Sequence, residues 1–281
     1  LFSTDSSRWV FCDTDFLRLM TMKDNTDSMV RFEKVKKVFA GKAVLDGMDF
    51  DIRRGETFVI VGPSGTGKSV TLKHMVRLLT PDQGDVYVGK DCMNEATGSR
   101  LAVLRERFGY LFQGGALLAW LTVGENIALP LREKTTLTEA EIQKRVHATL
   151  EMVEMAGDYD KRPSDISGGM CKRAGLARAI VTEPEIILYD EPTSGLDPVT
   201  SRTIDALIAR LKEELGVTSV VVTHDLHSAL SIGSRIAMLH GGRVAETSTP
   251  VEFVKSKNEE VQSFLKSQFI TEAGQWERDA R

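Results

Sequence analysis

From Val30 onward, apolar residues recur with the short period of a strand. Val30, Phe32 and Val35 form one set and Met48, Phe50 and Ile52 another, with Arg54-Gly55 as the following turn. Three later runs drop the polar partners altogether. Thr57–Val61, Ile186–Tyr189 and Thr218–Val222 are apolar throughout or nearly so, as expected of strands covered on both faces. Helical patterns lie between them. Thr138 and Glu141 have the spacing of a capping box, in which the hydroxyl accepts from a backbone N–H and the carboxylate reaches back. Behind it Ile142, Val146, Leu150 and Val153 keep helical spacing, and Gly157 is expected to end that helix. Ile204, Leu207, Ile208, Leu211 and Leu215 make a second apolar stripe. Strands alternating with helices predict an α/β fold with a mainly parallel sheet covered by helices.

The first chemistry appears where the strand Thr57–Val61 ends. Gly62-Pro63-Ser64-Gly65-Thr66-Gly67-Lys68-Ser69 fills the G-x-x-x-x-G-K-[ST] template, and a helix is expected to begin near Val70. The glycines let successive backbone N–H groups turn inward around phosphate. Lys68 can reach the β and γ phosphates of ATP, and the Ser69 hydroxyl can coordinate Mg²⁺. A nucleotide site of this kind needs a further acid. Asp190 and Glu191 follow the apolar run Ile186–Tyr189, where Asp190 can serve the metal and Glu191 can act as general base. Asp190 lies 122 positions after Lys68, far more than the ~30 residues of a simple crossover. Something is inserted between the two halves of the site.

The inserted segment carries further punctuation. Gln113 ends the strand-like run Phe108–Phe112, and Ser167-Gly168-Gly169-Met170 precedes a helical stretch. Glu191-Pro192-Thr193-Ser194-Gly195-Leu196-Asp197 follows the acid pair, and His224 follows the last buried run. In this order the motifs resemble those of the ATP-binding-cassette (ABC) ATPase family, over about Val30 to Pro250. The resemblance implies a P-loop NTPase core with a mainly parallel sheet, an antiparallel β subdomain and an inserted α-helical subdomain at about 114–180. It implies ATP and Mg²⁺ as cofactors, with Ser69, Gln113 and Asp190 serving the metal. Glu191, His224 and Gln113 would be catalytic. Phe39 would stack on adenine, although as an isolated aromatic it reads more readily as core. The Ser167-Gly168-Gly169 turn would bind the γ-phosphate held by a second copy, two copies would pair head to tail, and Asp197 would couple the two sites.

Met170 departs from the glutamine most common after the glycine pair. Ser-Gly-Gly-Met, the segment from Phe112 to Arg132, and Thr223–Leu230 resemble the ATPases of Mla/Mce-type lipid-trafficking transporters. That likeness implies a multi-spanning membrane permease as partner, with an Mce-type lipid-binding protein and a small accessory subunit as further partners. Phospholipid is the implied cargo; solvent, sterol or amino acid are the alternatives. Leu117, Leu118, Trp120 and Leu121 fall where the family docks the permease, although an apolar patch can equally be buried in the helical subdomain.

Composition narrows the picture. With 281 residues the chain has room for one such cassette but not two in tandem. Lys and Arg number 36 against 40 Asp and Glu, a net charge of −4 that argues against nucleic acid as partner. Three widely spaced cysteines make no disulfide framework, and a reducing cytosol is expected. The longest apolar stretch, Gly114–Val123, is about half of what a membrane-spanning helix needs. The expected place is therefore the cytoplasmic face of the inner membrane, held there by a protein. Residues 1–28 read as a disordered extension, with the working protein starting near Met29. Residues 251–281 read as a helical tail in which Val261, Phe264, Leu265 and Phe269 share a face, packed on its own domain or docked on a partner. A non-transport ABC ATPase would show paired cassettes, coiled-coil insertions or zinc-binding cysteines, and a small-molecule kinase would lack the Ser-Gly-Gly turn.

Overall fold

Strand residues that alternate in sequence separate two apolar cores in space. The computed structural model describes residues 28–268; the extension expected over residues 1–28 therefore lies outside it up to residue 27, as does Phe269 of the tail face. β1 (Ser28–Phe39) and β2 (Lys42–Arg53) form an antiparallel hairpin. β4 (Gln83–Val88) and β5 (Asp91–Cys92) extend it into a four-stranded sheet of order β2-β1-β4-β5. A second sheet runs β10-β9-β3-β8-β7-β6, from β3 (Thr57–Val61), β6 (Phe108–Leu111), β7 (Ile186–Asp190), β8 (Thr218–Val222), β9 (Arg235–His240) and β10 (Arg243–Ser248). All its neighbours are parallel except β10, which is antiparallel to β9. The parallel sheet, the antiparallel sheet and the helices match the fold class expected from the sequence.

Every residue of β3, β7 and β8 is buried. Phe58, Ile60, Leu188, Val220 and Val222 face a core shared with the antiparallel sheet and with α1 (Lys68–Met75). Val59, Val61, Ile187, Tyr189 and Val221 face the opposite core. The missing alternation thus reflects two apolar faces. That second core is built by α3 (Val123–Lys134), α4 (Glu139–Met152), α5 (Gly168–Ile180) and α6 (Pro198–Leu215). α2 (Gly98–Glu106) lies before β6 and α7 (Leu226–Ile232) after β8. Helices α3 to α5 occupy the chain between the paired strands β6 and β7, which accounts for the long separation of Lys68 from Asp190.

The predicted capping box is present, Thr138 Oγ1 accepting from Glu141 N while Glu141 Oε2 accepts from Thr138 N. Helix α4 ends at Met152, five residues before the glycine expected to stop it. Glu154 takes the left-handed conformation there (φ 59°), with its carboxylate paired to Arg210 at 2.9 Å. The tail folds back as α8 (Pro250–Val254) and α9 (Glu259–Ser267). Phe253, Val261, Phe264 and Leu265 are buried in the helical core, so the tail as far as residue 268 packs on its own domain.

Parallel strands make their successive carboxyl ends neighbours. The P-loop leaves β3, Thr223 and His224 follow β8, Asp190 ends β7 and Gln113 lies just past β6. Four motifs far apart in the chain therefore meet along one sheet edge, the usual place for ligand sites in such folds.

Candidate nucleotide-binding site

The loop after β3 curls because its glycines have no side chains to obstruct it. Gly62 has φ 150°, and a Cβ there would sit 2.4 Å from the Leu239 carbonyl oxygen. Gly67, the N-cap of α1, has φ 98°, and its Cβ would meet Leu45 Cδ2 at 2.8 Å. Pro63, Ser64 and Gly65 are exposed, Thr66 Oγ1 donates to Pro63 O at 2.8 Å, and Val70 packs against the core beneath. The helix begins at Lys68, two residues earlier than expected, because the loop itself forms its N-terminus. Lys68 Nζ donates to Gly62 O (2.8 Å) and Pro63 O (3.1 Å) and lies 3.7 Å from Glu191 Oε1. Burial lowers its pKa, and the Glu191 charge opposes that shift.

Ser69 Oγ donates to Asp190 Oδ1 at 2.6 Å, and Tyr110 OH donates to Asp190 Oδ2 at 3.2 Å. Burial and then the Asp190 charge raise the Tyr110 phenol, so it stays a donor. A hydroxyl beside a carboxylate at a helix N-terminus is the hard oxygen donor set that suits Mg²⁺. Glu191 Oε2 lies 2.7 Å from His224 Nδ1 and 3.4 Å from His224 N. A carboxylate oxygen accepts at this distance, so the imidazole donates through its Nδ1–H. The His224 side chain remains 53% exposed. Glu191 itself has φ 52°, a strained setting for a residue with a Cβ. Gln113 is exposed, and its carbonyl is engaged by Lys172.

A second group forms around the start of α5. Ser167 N-caps the helix, accepting from Met170 N at 3.3 Å, and Ser167 and Gly168 are exposed. Gly169 is buried against the next motif, since a Cβ there would come 2.6 Å from Thr200 Cγ2. Asp197 N-caps α6, its Oδ1 accepting from Val199 N and Thr200 N at 3.0 Å each. The Thr200 hydroxyl donates to its other oxygen at 2.5 Å and is the main reason its pKa is lowered. Met170 packs on the helical core, a use for which a methionine is better suited than a glutamine. Phe39 ends β1 as a 41% exposed residue, with Lys37 Nζ 5.5 Å from the centre of its ring.

A family model described as ABC transporter matches residues 45–194. The chain belongs to the ABC transporter family. This cassette is 41% identical over 210 residues to the probable ribonucleotide transport ATP-binding protein mkl of Mycobacterium leprae, covering 75% of this chain and 60% of that protein. It thus spans less than two thirds of that relative's length. It is 37% identical over 227 residues to the intermembrane phospholipid transport system ATP-binding protein MlaF of Haemophilus influenzae, covering 81% of this chain and 86% of MlaF. Its fold matches the dimeric post-hydrolysis structure of the ATP-binding cassette MJ0796 bound to ADP and Pi, with a TM-score of 0.73 and 35% identity over 79% of this chain and 99% of that one.

Ser69 thus meets Asp190, and Lys68 and His224 each meet Glu191, the next residue in the chain, while Ser167, Gly168, Gly169 and Asp197 form the separate cluster and Phe39 sits at a hairpin end. Two contributors escaped sequence reasoning. Tyr110 lay inside the strand-like run Phe108–Phe112 and was given no role; a phenol in such a run needs a polar partner, which was the available signal. Lys172 carried no role in the sequence reading, and it is 5% exposed.

Proposed function

We propose that this chain is the ATP-hydrolysing subunit of an ABC transporter, acting as a head-to-tail dimer that energises a separate membrane permease. The observation that carries this reading is the cluster of Lys68, Ser69, Asp190, Glu191 and His224 at one sheet edge. The P-loop amides and Lys68 hold the β and γ phosphates, Lys68 exchanging the carbonyls of Gly62 and Pro63 for phosphate oxygens. Magnesium, held by Ser69, Asp190 and Gln113, would offset phosphate charge. Glu191 accepts the proton of the attacking water, oriented by the Nδ1–H of His224, whose Nε2 side is exposed toward the γ-phosphate. Ser167, Gly168 and Gly169 of one copy meet the γ-phosphate on the other, Asp197 lies between the two sites, and Phe39 stacks on adenine.

Trp120, 71% exposed, with Phe112 and the half-buried Leu118 and Leu121, supplies the apolar surface for the permease on the cytoplasmic side of the membrane. Phospholipid is the cargo this reading favours. The Ser167-Gly168-Gly169-Met170 turn and the likeness to MlaF support it, with an Mce-type lipid-binding protein and a small accessory subunit as further partners. The test is magnesium-dependent ATP turnover by the purified chain, alone and with the permease that copurifies from membranes, followed by mass spectrometry of the bound cargo. Turnover stimulated by the permease and bound phospholipid are expected. A chain that does not hydrolyse ATP sinks the enzymatic reading, and a permease moving only a water-soluble cargo sinks the lipid assignment.

A further inference from the structure

A buried lysine joins three segments of the site. Lys172 lies on α5, five residues past Ser167, and its ammonium donates to Gln113 O and, at 3.0 Å, to Glu191 O. The same helix grips the loop after Gln113 at further points. Arg178 donates to Gly115 O (2.9 Å) and Ala116 O (2.8 Å), and a Cβ on Gly115 would come 2.7 Å from Cys171 O. Only Lys172, among these α5 side chains, also reaches the residue read as general base.

That base has an unusual backbone. Glu191 has φ 52°, a conformation unfavourable for a residue with a Cβ that persists only where its surroundings impose it. Its peptide groups are held from two sides. Glu191 N donates to Val222 O at 2.9 Å on the β8 side, and Glu191 O accepts from Lys172 and from Ser194 N at 3.2 Å. Burying an ammonium is unfavourable unless its protons are used. Here they are used on two carbonyls, with the negative charges of Asp190 and Glu191 nearby opposing the effect of burial.

We propose that Lys172 is a positioning residue for hydrolysis, bonding Gln113 O and Glu191 O together so that the carboxylate of Glu191 is aimed by the helix that carries the Ser167-Gly168-Gly169 turn. This inference rests on the reading of Glu191 as base. Its consequence is directional: movement of α5, whether from nucleotide on the partner copy or from the permease, reaches the base through one side chain. Nucleotide binding by the P-loop does not depend on it.

The full-length Lys172→Met variant, which keeps the apolar stem and removes the donors, tests this. Expected is a fall in kcat of about 100-fold, the scale of a misplaced catalytic group, with ATP affinity within about twofold of wild type. Lys172→Arg and Lys172→Gln, which keep donors, should each recover part of the rate. Amide hydrogen exchange at Thr193 and Ser194 should quicken in Lys172→Met and not in Lys172→Arg. A kcat unchanged in Lys172→Met, or a loss that follows an equal loss of ATP affinity, overturns the proposal. Should Lys172→Met fail to fold, Lys172→Gln carries the same comparison, and equal kcat and equal exchange in it and wild type overturn the proposal too. If the wild-type chain itself hydrolyses no ATP, the reading of Glu191 falls; unchanged exchange in Lys172→Met then overturns the positioning contact as well.

Discussion

Replacing Asp205 with asparagine should stabilise the protein above pH 6 and leave it nearly unchanged near pH 4. Asp205 lies on α6, 6% exposed, and shares one hydroxyl with a second acid. Ser228 Oγ is 2.7 Å from Asp205 Oδ2 and 3.3 Å from Asp225 Oδ2. A hydroxyl has a single proton, so two ionised carboxylates cannot both receive it. A proton on Asp205 resolves the conflict, Asp205 donating to Ser228 and Ser228 to Asp225. Asp205 Oδ1 has no hydrogen-bond partner among the described residues. Asp225 meanwhile stays committed to capping α7, accepting from His227 N at 2.8 Å. Arg202, His224 and His227 line the same cavity of about 870 Å³. Burial, opposed by the Ser228 hydrogen bond and aided by the Asp225 charge, pushes the Asp205 carboxyl from 3.8 up to about 6. A difference of about two pKa units corresponds to roughly 3 kcal/mol. The folded chain holds this proton more tightly than the unfolded one. Stability from this group is therefore full below 3.8 and lost as pH rises through about 6. The asparagine side chain is never charged, so the variant's advantage over wild type should grow across that window to at most about 3 kcal/mol, or about 6–12 °C in Tm for a domain of this size. Thermal melts of both proteins at half-unit steps from pH 4.5 to 8, without nucleotide, measure the difference. Parallel curves across the range would refute the shared-proton argument.

Glu191→Gln should bind ATP with magnesium and accumulate as a dimer on gel filtration while turnover drops by about 1000-fold or more, as when an essential base is removed; wild-type turnover would remove Glu191 from the base role. Lys68→Ala loses the buried ammonium beside the phosphate site, so nucleotide affinity measured by calorimetry should fall at least about 100-fold, and retained submicromolar binding would contradict the P-loop assignment. Ending the chain after Lys255 strips Val261, Phe264 and Leu265 from the helical core. At about 1.5–3 kcal/mol per buried side chain the truncated protein should melt far below the full chain, and an unchanged Tm would show that α9 adds nothing to the core.

Period and composition made the scaffold readable. A two-residue alternation becomes a half-covered hairpin and an unbroken apolar run becomes a central strand, because each pattern reports how many faces meet the core. The P-loop was readable for a related reason: its glycines answer a local backbone demand. What stayed hidden depends on pairs distant in sequence. Lys172 and Gln113 are 59 residues apart, Lys172 and Glu191 19 apart, and Asp205 and Ser228 23 apart. No local pattern marks such pairs. The left-handed backbone of Glu191 was hidden for the opposite reason, since nothing in a Glu-Pro sequence asks for it and the surrounding bonds impose it. Helix α4 ended early in the same way, at a glutamate held by Arg210 and not at the glycine.

The helix N-termini carry one further distinction, visible in sequence once the helices are placed. Among the described residues, six of nine helices meet their own dipole with a carboxylate: α3, α4, α8 and α9 have Glu in the first turn, and α6 and α7 are capped by Asp197 and Asp225. Helices α1, α2 and α5 have neither an acidic cap nor an acid in the first turn. An internal carboxylate satisfies the free amides and leaves little attraction for an outside anion. Two of the three open ends are those that begin at the P-loop and at the Ser167-Gly168-Gly169 turn, where missing side chains let a phosphate approach the backbone. α2 starts at Gly98 as well, but without a curled loop before it or a lysine in its first turn. The pairing of open dipole with bare backbone is what the proposed head-to-tail dimer requires at both of its phosphate contacts. It also predicts the cost of closing one: an aspartate in place of Gly168 would put a fixed charge where the proposed dimer brings the partner's γ-phosphate. ATP-driven dimer formation should then fail while monomer nucleotide affinity stays within about twofold. A Gly168→Asp variant that still dimerises with ATP would place the γ-phosphate contact elsewhere.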